Sequence, residues 1–233
     1  MKITNKELAI KKIKEDPFAL QYVSEELQNN LDVVWEAVNQ NGYALRYASK
    51  ELQNNIFIVL VAITTNAYAL QFASKKLRAN EDVVLAAVKN EGYALEYAGK
   101  ELKNNKEFVL AVVTQNGYAL KYASEELRAN KDVVLVAVTQ CGEVLEYVSE
   151  ELRADEEVVL VAVREDPFAL EYASEDLQNN EDVVLVAVTE SGYALQYASA
   201  NLRNNIKVVK EAVRQNPFAF KFASKETVLK LKE

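Results

Sequence analysis

Asn116-Gly117-Tyr118-Ala119-Leu120-Lys121-Tyr122-Ala123-Ser124-Glu125-Glu126-Leu127, continued by Arg128-Ala129-Asn130-Lys131-Asp132-Val133-Val134-Leu135-Val136-Ala137-Val138-Thr139-Gln140, is one unit of a repeat that runs through the chain. Its Ala-Leu-x-aromatic segment restarts at Ala19, Ala44, Ala69, Ala94, Ala119, Val144, Ala169, Ala194 and Ala219, at one unvarying interval and with no insertion. A constant period on this scale means stacked supersecondary units rather than one globular core, and every residue is then read by its column in the repeat.

Each unit reads as two helices. The first opens at a Gly/Pro column (Pro17, Gly42, Ala67, Gly92, Gly117, Gly142, Pro167, Gly192, Pro217). Alanine and proline share that column, so its backbone need not be left-handed. Asp16-Pro17, Asp166-Pro167 and Asn216-Pro217 have the form of an N-cap followed by the first helical residue. The second helix opens at Asn30, Asn55, Asn80, Asn105, Asn130, Asp155, Asn180 and Asn205, with an acid two residues on at Asp32, Asp82, Asp132 and Asp182. Ser-x-Glu-Leu between them, as in Ser124-Glu125-Glu126-Leu127, reads as a tight helical turn, for which 3₁₀ is one form. Val133–Val138 could be a buried strand by composition. The caps, the alanines at 37, 62, 87, 137, 162, 187 and 212, and the poorly alternating copies at 33–38 and 208–213 favour helix.

The expected fold is therefore all-α: a right-handed α-solenoid of about nine 25-residue helix-turn-helix repeats in a single domain. Residues 1–15 form an N-terminal cap helix in which Lys11 and Lys12 replace apolar positions, 16–215 hold eight full repeats, and 216–233 form a C-terminal half repeat and cap. Polar ends are what a stack of repeats needs to stay soluble.

The string from Tyr122 to Val138, and again from Tyr172 to Val188, resembles the repeat catalogued as domain of unknown function 4116. The resemblance covers nearly the whole chain. It implies a helical-repeat interaction module, in some relatives an effector-like adaptor acting on a host cell, and it assigns no activity. The chain departs from the pattern at Ile56, Phe57, Ala67 and Gly99, and at Glu143-Val144.

Composition closes off much chemistry. Histidine is absent from the 233 residues and Cys141 is the only cysteine, so neither a Ser-His-Asp nor a Cys-His arrangement can form. A Cys/His zinc site and a disulfide framework are excluded as well. No metal and no cofactor is expected. The net charge of −8 argues against bulk nucleic-acid or anionic-membrane binding. No apolar run approaches membrane-spanning length, and residues 1–6 lack a signal-peptide core, so a soluble, cytoplasmic location is expected, with entry into a host cell if the chain is an effector.

Eight of nine serines share one column, which suits a backbone-bonding turn role and not a singular nucleophile. The recurrent acid pairs, such as Glu125/Glu126, carry no catalytic signature. Tyrosine is confined to two columns, one holding Tyr43, Tyr68, Tyr93, Tyr118 and Tyr193, the other Tyr22, Tyr47, Tyr97, Tyr122, Tyr147, Tyr172 and Tyr197. Lying at i and i+4, the two read as an aromatic stripe, which either packs adjacent repeats or binds a peptide.

Residues 141–190 hold 15 acids and two bases, leaving 20 acids and 25 bases elsewhere. Glu146/Glu171, Glu150/Glu175, Glu151/Asp176, Glu156/Glu181 and Glu157/Asp182 fall in the same columns of successive repeats. They form either a solvated face or a docking face for a basic segment of another protein. Ile56 and Phe57, with Leu31 one repeat earlier, are a smaller apolar irregularity near helix starts. The never-acidic column Gln28, Gln53, Arg78, Lys103, Arg128, Arg153, Gln178 and Arg203 is the one feature that would suit nucleic acid. The sequence thus points to a non-enzymatic protein-protein interaction scaffold displaying side-chain columns, with a nucleic-acid-binding repeat protein as the alternative. Partner identity and oligomeric state do not follow from it.

Overall fold

In the computed structural model, which describes residues 2–231, the Asn column starts a ten-residue α-helix in each repeat. Asn30 lies in extended backbone (φ −87°, ψ 122°), and its side chain accepts a hydrogen bond from the Val33 N–H, satisfying a donor that the helix itself leaves free. Asn55, Asn80, Asn105, Asn130 and Asp155 do the same for Ile58, Val83, Phe108, Val133 and Val158. Val33, Val34, Ala37 and Val38 of Leu31–Gln40 are fully buried. The spacing makes one broad apolar face, and the valine runs are helical, not extended.

The chain forms two compact units, Met1–Ser124 and Glu125–Glu233. The first holds the long helices Lys6–Glu15, Leu31–Gln40, Ile56–Thr65, Glu81–Asn90 and Lys106–Gln115; the second holds Lys131–Gln140, Glu156–Glu165, Glu181–Glu190 and Ile206–Gln215. Both are all-α stacks of the same repeat, and among the described residues the only β pairing is a lone bridge between Ile3 and Val23.

The other half of the repeat differs from the sequence expectation. Gly42–Tyr47 and its equivalents are six-residue 3₁₀ helices, while Ser-x-Glu-Leu leads into a single α-turn, as in Glu25–Gln28 and Glu175–Gln178, and is 3₁₀ only at Leu52–Asn54 and Leu202–Asn204. Two extended residues, Asn41 (φ −152°) and Ala48 (ψ 157°), bound the first of these segments. A 3₁₀ turn closes one residue sooner than an α-turn, and a segment this short satisfies more of its own groups that way. Ala44, Leu45 and Ala48 face the core.

Successive repeats are joined by backbone. Within the first unit the N–H groups of Ser49, Ser74, Gly99 and Ser124 donate to the carbonyls of Gln28, Gln53, Arg78 and Lys103 in the preceding repeat, at 2.8–2.9 Å. Ser149, Ser174, Ser199 and Ser224 make the same bond in the second unit, to Arg128, Arg153, Gln178 and Arg203. The serine hydroxyl serves both sides of this joint. In Ser49 and Ser74 it accepts from the N–H of Leu52 or Leu77 and donates to Asn29 or Asn54 of the preceding repeat. Before the first helix the Ile3 carbonyl takes the Ser24 N–H at 2.8 Å, the bond that a carbonyl of the preceding turn makes at the later joints. At the other end Thr227 replaces the column's leucine, is buried, and its hydroxyl donates to the Asn204 carbonyl. Residues 232–233 of the expected C-terminal cap, and Met1 of the N-terminal one, lie outside the described residues.

At Gly42, Gly142 and Gly192 the glycine is set by close approach, whereas Ala67 and the prolines at 17, 167 and 217 carry a Cβ in the same column. Among the described residues none has a positive φ. A Cβ on Gly42, Gly142 or Gly192 would lie 2.0, 2.3 or 2.2 Å from the carbonyl oxygen of Ala62, Ala162 or Ala212, in the next long helix. Gly99 differs: a Cβ there meets the Glu101 side chain at 3.2 Å and Ala79 at 3.4 Å, and its short helix has no side-chain cap. Gly142→Ala is therefore expected to cost about 1–3 kcal/mol through overpacking against backbone. Gly99→Ser should stabilise by about a few tenths of a kcal/mol by restoring the cap. Thermal melts of the two variants against wild type check both signs, and a neutral Gly142→Ala would contradict the packing described.

Candidate interaction surfaces

The never-acidic column points inward. Gln53 Nε2 donates to the Leu45 and Arg46 carbonyls at 3.1 and 3.3 Å, and Gln178 Nε2 to those of Leu170, Glu171 and Ala173 at 3.0–3.2 Å. Gln28 reaches the Leu20 carbonyl and Lys103 that of Glu96. Gln28, Gln53, Lys103 and Gln178 thus satisfy carbonyls of the preceding 3₁₀ helix, and Arg128 reaches the Tyr147 carbonyl of the following repeat; an acceptor-only carboxylate could make neither bond. Burial lowers the Lys103 pKa. Arg78, Arg128, Arg153 and Arg203 each bury an Nε that has no partner.

The aromatic columns meet across repeats. Tyr43 packs edge-on against Phe72 at 5.4 Å between ring centroids, and Tyr68 and Tyr93 against Tyr97 and Tyr122 at 6.1 and 6.2 Å; Tyr193 meets Phe222 at 6.1 Å. Because the segment is 3₁₀, positions i and i+4 are about a third of a turn apart and do not form the single-helix stripe the sequence suggested. The rings of Tyr43, Tyr68, Tyr93, Tyr118 and Tyr193 are half-buried. Glu143, in the same column, is exposed.

The acids of 141–190 fall into two groups. Glu156, Glu157, Glu181 and Asp182 lie in the first turns of long helices. Glu157 and Asp155 share Lys131 at 2.8 and 2.7 Å, which holds the Asp155 carboxyl below its ordinary range; Lys207 does the same to Glu181 at 2.7 Å. Glu146, Glu150, Glu151, Glu171, Glu175 and Asp176 lie instead around the 3₁₀ helix and α-turn and are exposed. Among them only Glu150 has a cation within 4.0 Å, Arg153, at that limit.

The apolar irregularity is larger than the sequence indicated. Leu31, Ile56 and Phe57 are 45%, 48% and 53% exposed, and Trp35 joins them at 37%. Ile10, Leu31, Trp35 and Phe57 surround an open cavity of about 410 Å³ whose polar rim is Asp32 and Glu36. Trp35 and Phe57 belong to successive long helices, so the contact follows from stacking Leu31–Gln40 on Ile56–Thr65. The equivalent groove of the second unit, at Leu185 and Ile206, is lined by Lys207, Lys210, Arg214 and Glu211, which pairs with Arg214.

Cys141 is half-buried, and burial pushes its thiol up. Among the described residues no group of His, Cys, Asp or Glu could hold a metal ion, and no helix is long and apolar enough to cross a membrane. Gln178→Glu should lower stability by about 1–3 kcal/mol, because a carboxylate would face three carbonyl oxygens. Gln178→Lys, which keeps a donor, should cost less. Denaturation midpoints of the two variants measure the difference, and equal costs would show that the column is not a set of carbonyl caps.

No curated protein matches the chain, and no solved structure does. The family model described as "Domain of unknown function (DUF4116)" matches eight overlapping segments, residues 5–53, 36–78, 55–103, 80–128, 105–153, 130–178, 155–203 and 180–227. Together these span the stitched repeats of both units, and the chain belongs to that family.

Proposed function

We propose that the chain is a non-enzymatic interaction scaffold that holds an apolar anchor of a protein partner at Leu31, Trp35 and Phe57. The observation that carries the reading is the exposed apolar rim of that cavity: contiguous apolar surface on a folded protein marks contact sites more often than scattered single residues do. Glu36 beside it, which has no cation within 4.0 Å among the described residues, favours a partner with Lys or Arg next to the anchor, whereas Asp32 is already paired with Lys6. The long helices are fixed by caps and stacking, so the surface needs little ordering on binding. The absence of histidine and the structural engagement of the serine column support a non-catalytic role.

Trp35 is the only tryptophan, so it reports on its own site. Peptides selected from a random displayed library against the native chain should carry an apolar anchor with an adjacent base. They should shift the Trp35 emission to shorter wavelength, and lose at least about tenfold in affinity on Phe57→Glu, the loss expected when a buried anchor is truncated. Selected peptides that leave Trp35 emission unchanged and bind Phe57→Glu as well as wild type would overturn the assignment.

A further inference from the structure

The column that opens each short turn reads Lys50, Lys75 and Lys100 in consecutive repeats of the first unit, after Glu25, and Glu125, Glu150 and Glu175 in consecutive repeats of the second, before Ala200 and Lys225. Both ladders are exposed. The lysine ladder is continuous: Lys50 and Lys75 line one open cavity of about 560 Å³ together with Arg46 and Arg78, and Lys75 and Lys100 line the next, of about 500 Å³. None of the three lysines has a carboxylate within 4.0 Å among the described residues, whereas Lys131 and Lys207 do. Glu125 and Glu175 likewise lack a cation at that distance, and Glu150 has only Arg153 at the limit.

The geometry points to a second copy of this chain as the occupant, the lysine ladder of one copy lying against the glutamate ladder of the other. Within this column the match is in spacing as well as sign; in the next one Lys76 meets Glu151, while Glu51 and Glu101 meet Glu126 or Asp176 in either direction and weaken the contact. Both ladders stand on the same repeat, so the step from one lysine to the next equals the step between glutamates.

The neighbouring column decides the direction. Antiparallel pairing sets Lys50 opposite Glu175 and Lys75 opposite Glu150, and brings Arg46 to Glu171 and Gln71 to Glu146. Parallel pairing would instead set Arg46 against Lys121 and Glu96 against Glu171, two like-charge meetings. Exposed ion pairs are individually weak, so the association belongs to high protein concentration and is sensitive to salt. The net charge of −8 opposes approach at long range, but beyond about 10 Å it is screened at about 0.1 M salt.

Analytical ultracentrifugation of the full chain over a wide concentration range tests this. At about 0.1 M salt the average mass should rise with concentration, and at about 1 M, where the screening length falls to about 3 Å, the rise should vanish. Two variants complete the test, both checked for native helix content: Lys50→Glu/Lys75→Glu/Lys100→Glu, and Glu125→Lys/Glu150→Lys/Glu175→Lys. Each alone should stay monomeric, and an equimolar mixture should associate more tightly than wild type. A wild type monomeric at every concentration at about 0.1 M salt, or folded variants that fail to associate when mixed, would overturn the proposal. So would self-association undiminished in either variant. Selection of peptides at Trp35 does not depend on these ladders, so either result leaves the other reading separately testable.

Discussion

Everything in this protein is hung on one backbone hydrogen bond, from the serine-column N–H that caps each short turn to a carbonyl at the end of the same turn in the preceding repeat. A single such bond contributes about 0.5–1.5 kcal/mol net. Its importance is positional. It fixes the register between neighbouring repeats, and the long helices then bury their valine faces against one another. An inserted residue would displace the donor from its carbonyl and turn the apolar face aside, which accounts physically for a period held without exception from Ala19 to Ala219. The surrounding residues serve the same joint: serine because its hydroxyl caps the turn and bonds the preceding repeat, and Gly42, Gly142 and Gly192 because the next helix's carbonyl leaves no room for a Cβ.

Much of this was legible in the sequence. Asn30 and its equivalents are caps, the valine runs are helices, and Ser74 and its equivalents are backbone-bonding residues, each for the reason their chemistry suggested. What was not legible was the helix type over Gly42–Tyr47, since so short a segment shows too little of its period to separate about 3.0 from about 3.6 residues per turn. The role of Gln178 was also hidden. A column of Gln, Lys and Arg reads as surface charge until the Gln and Lys donors are seen to end on backbone carbonyls of their own repeat.

The candidate surfaces show the same division. Ile56 and Phe57 stood out because they broke columns, but Trp35 did not, being one more apolar residue where leucine is usual. Only the stacking of Leu31–Gln40 on Ile56–Thr65 puts it beside Phe57 and opens the cavity. In the acidic block, sequence grouped ten residues that the fold separates: Glu157 and Glu181 are neutralised by Lys131 and Lys207, while Glu146, Glu171 and Glu175 are left without such partners. A repeat protein commits most of its side chains to identical joints, so positions that depart from their column without serving the joint are where recognition by a partner can be built.

Residue-resolved hydrogen exchange at the serine-column amides tests the central joint most directly. If the joint holds the repeats in register, the N–H groups of Ser49, Ser74, Ser174 and Ser199 should exchange as slowly as those inside the long helices, such as Val59. Exchange of those serine amides at unprotected rates, with the helix amides still protected, would show that the repeats are held by side-chain packing alone.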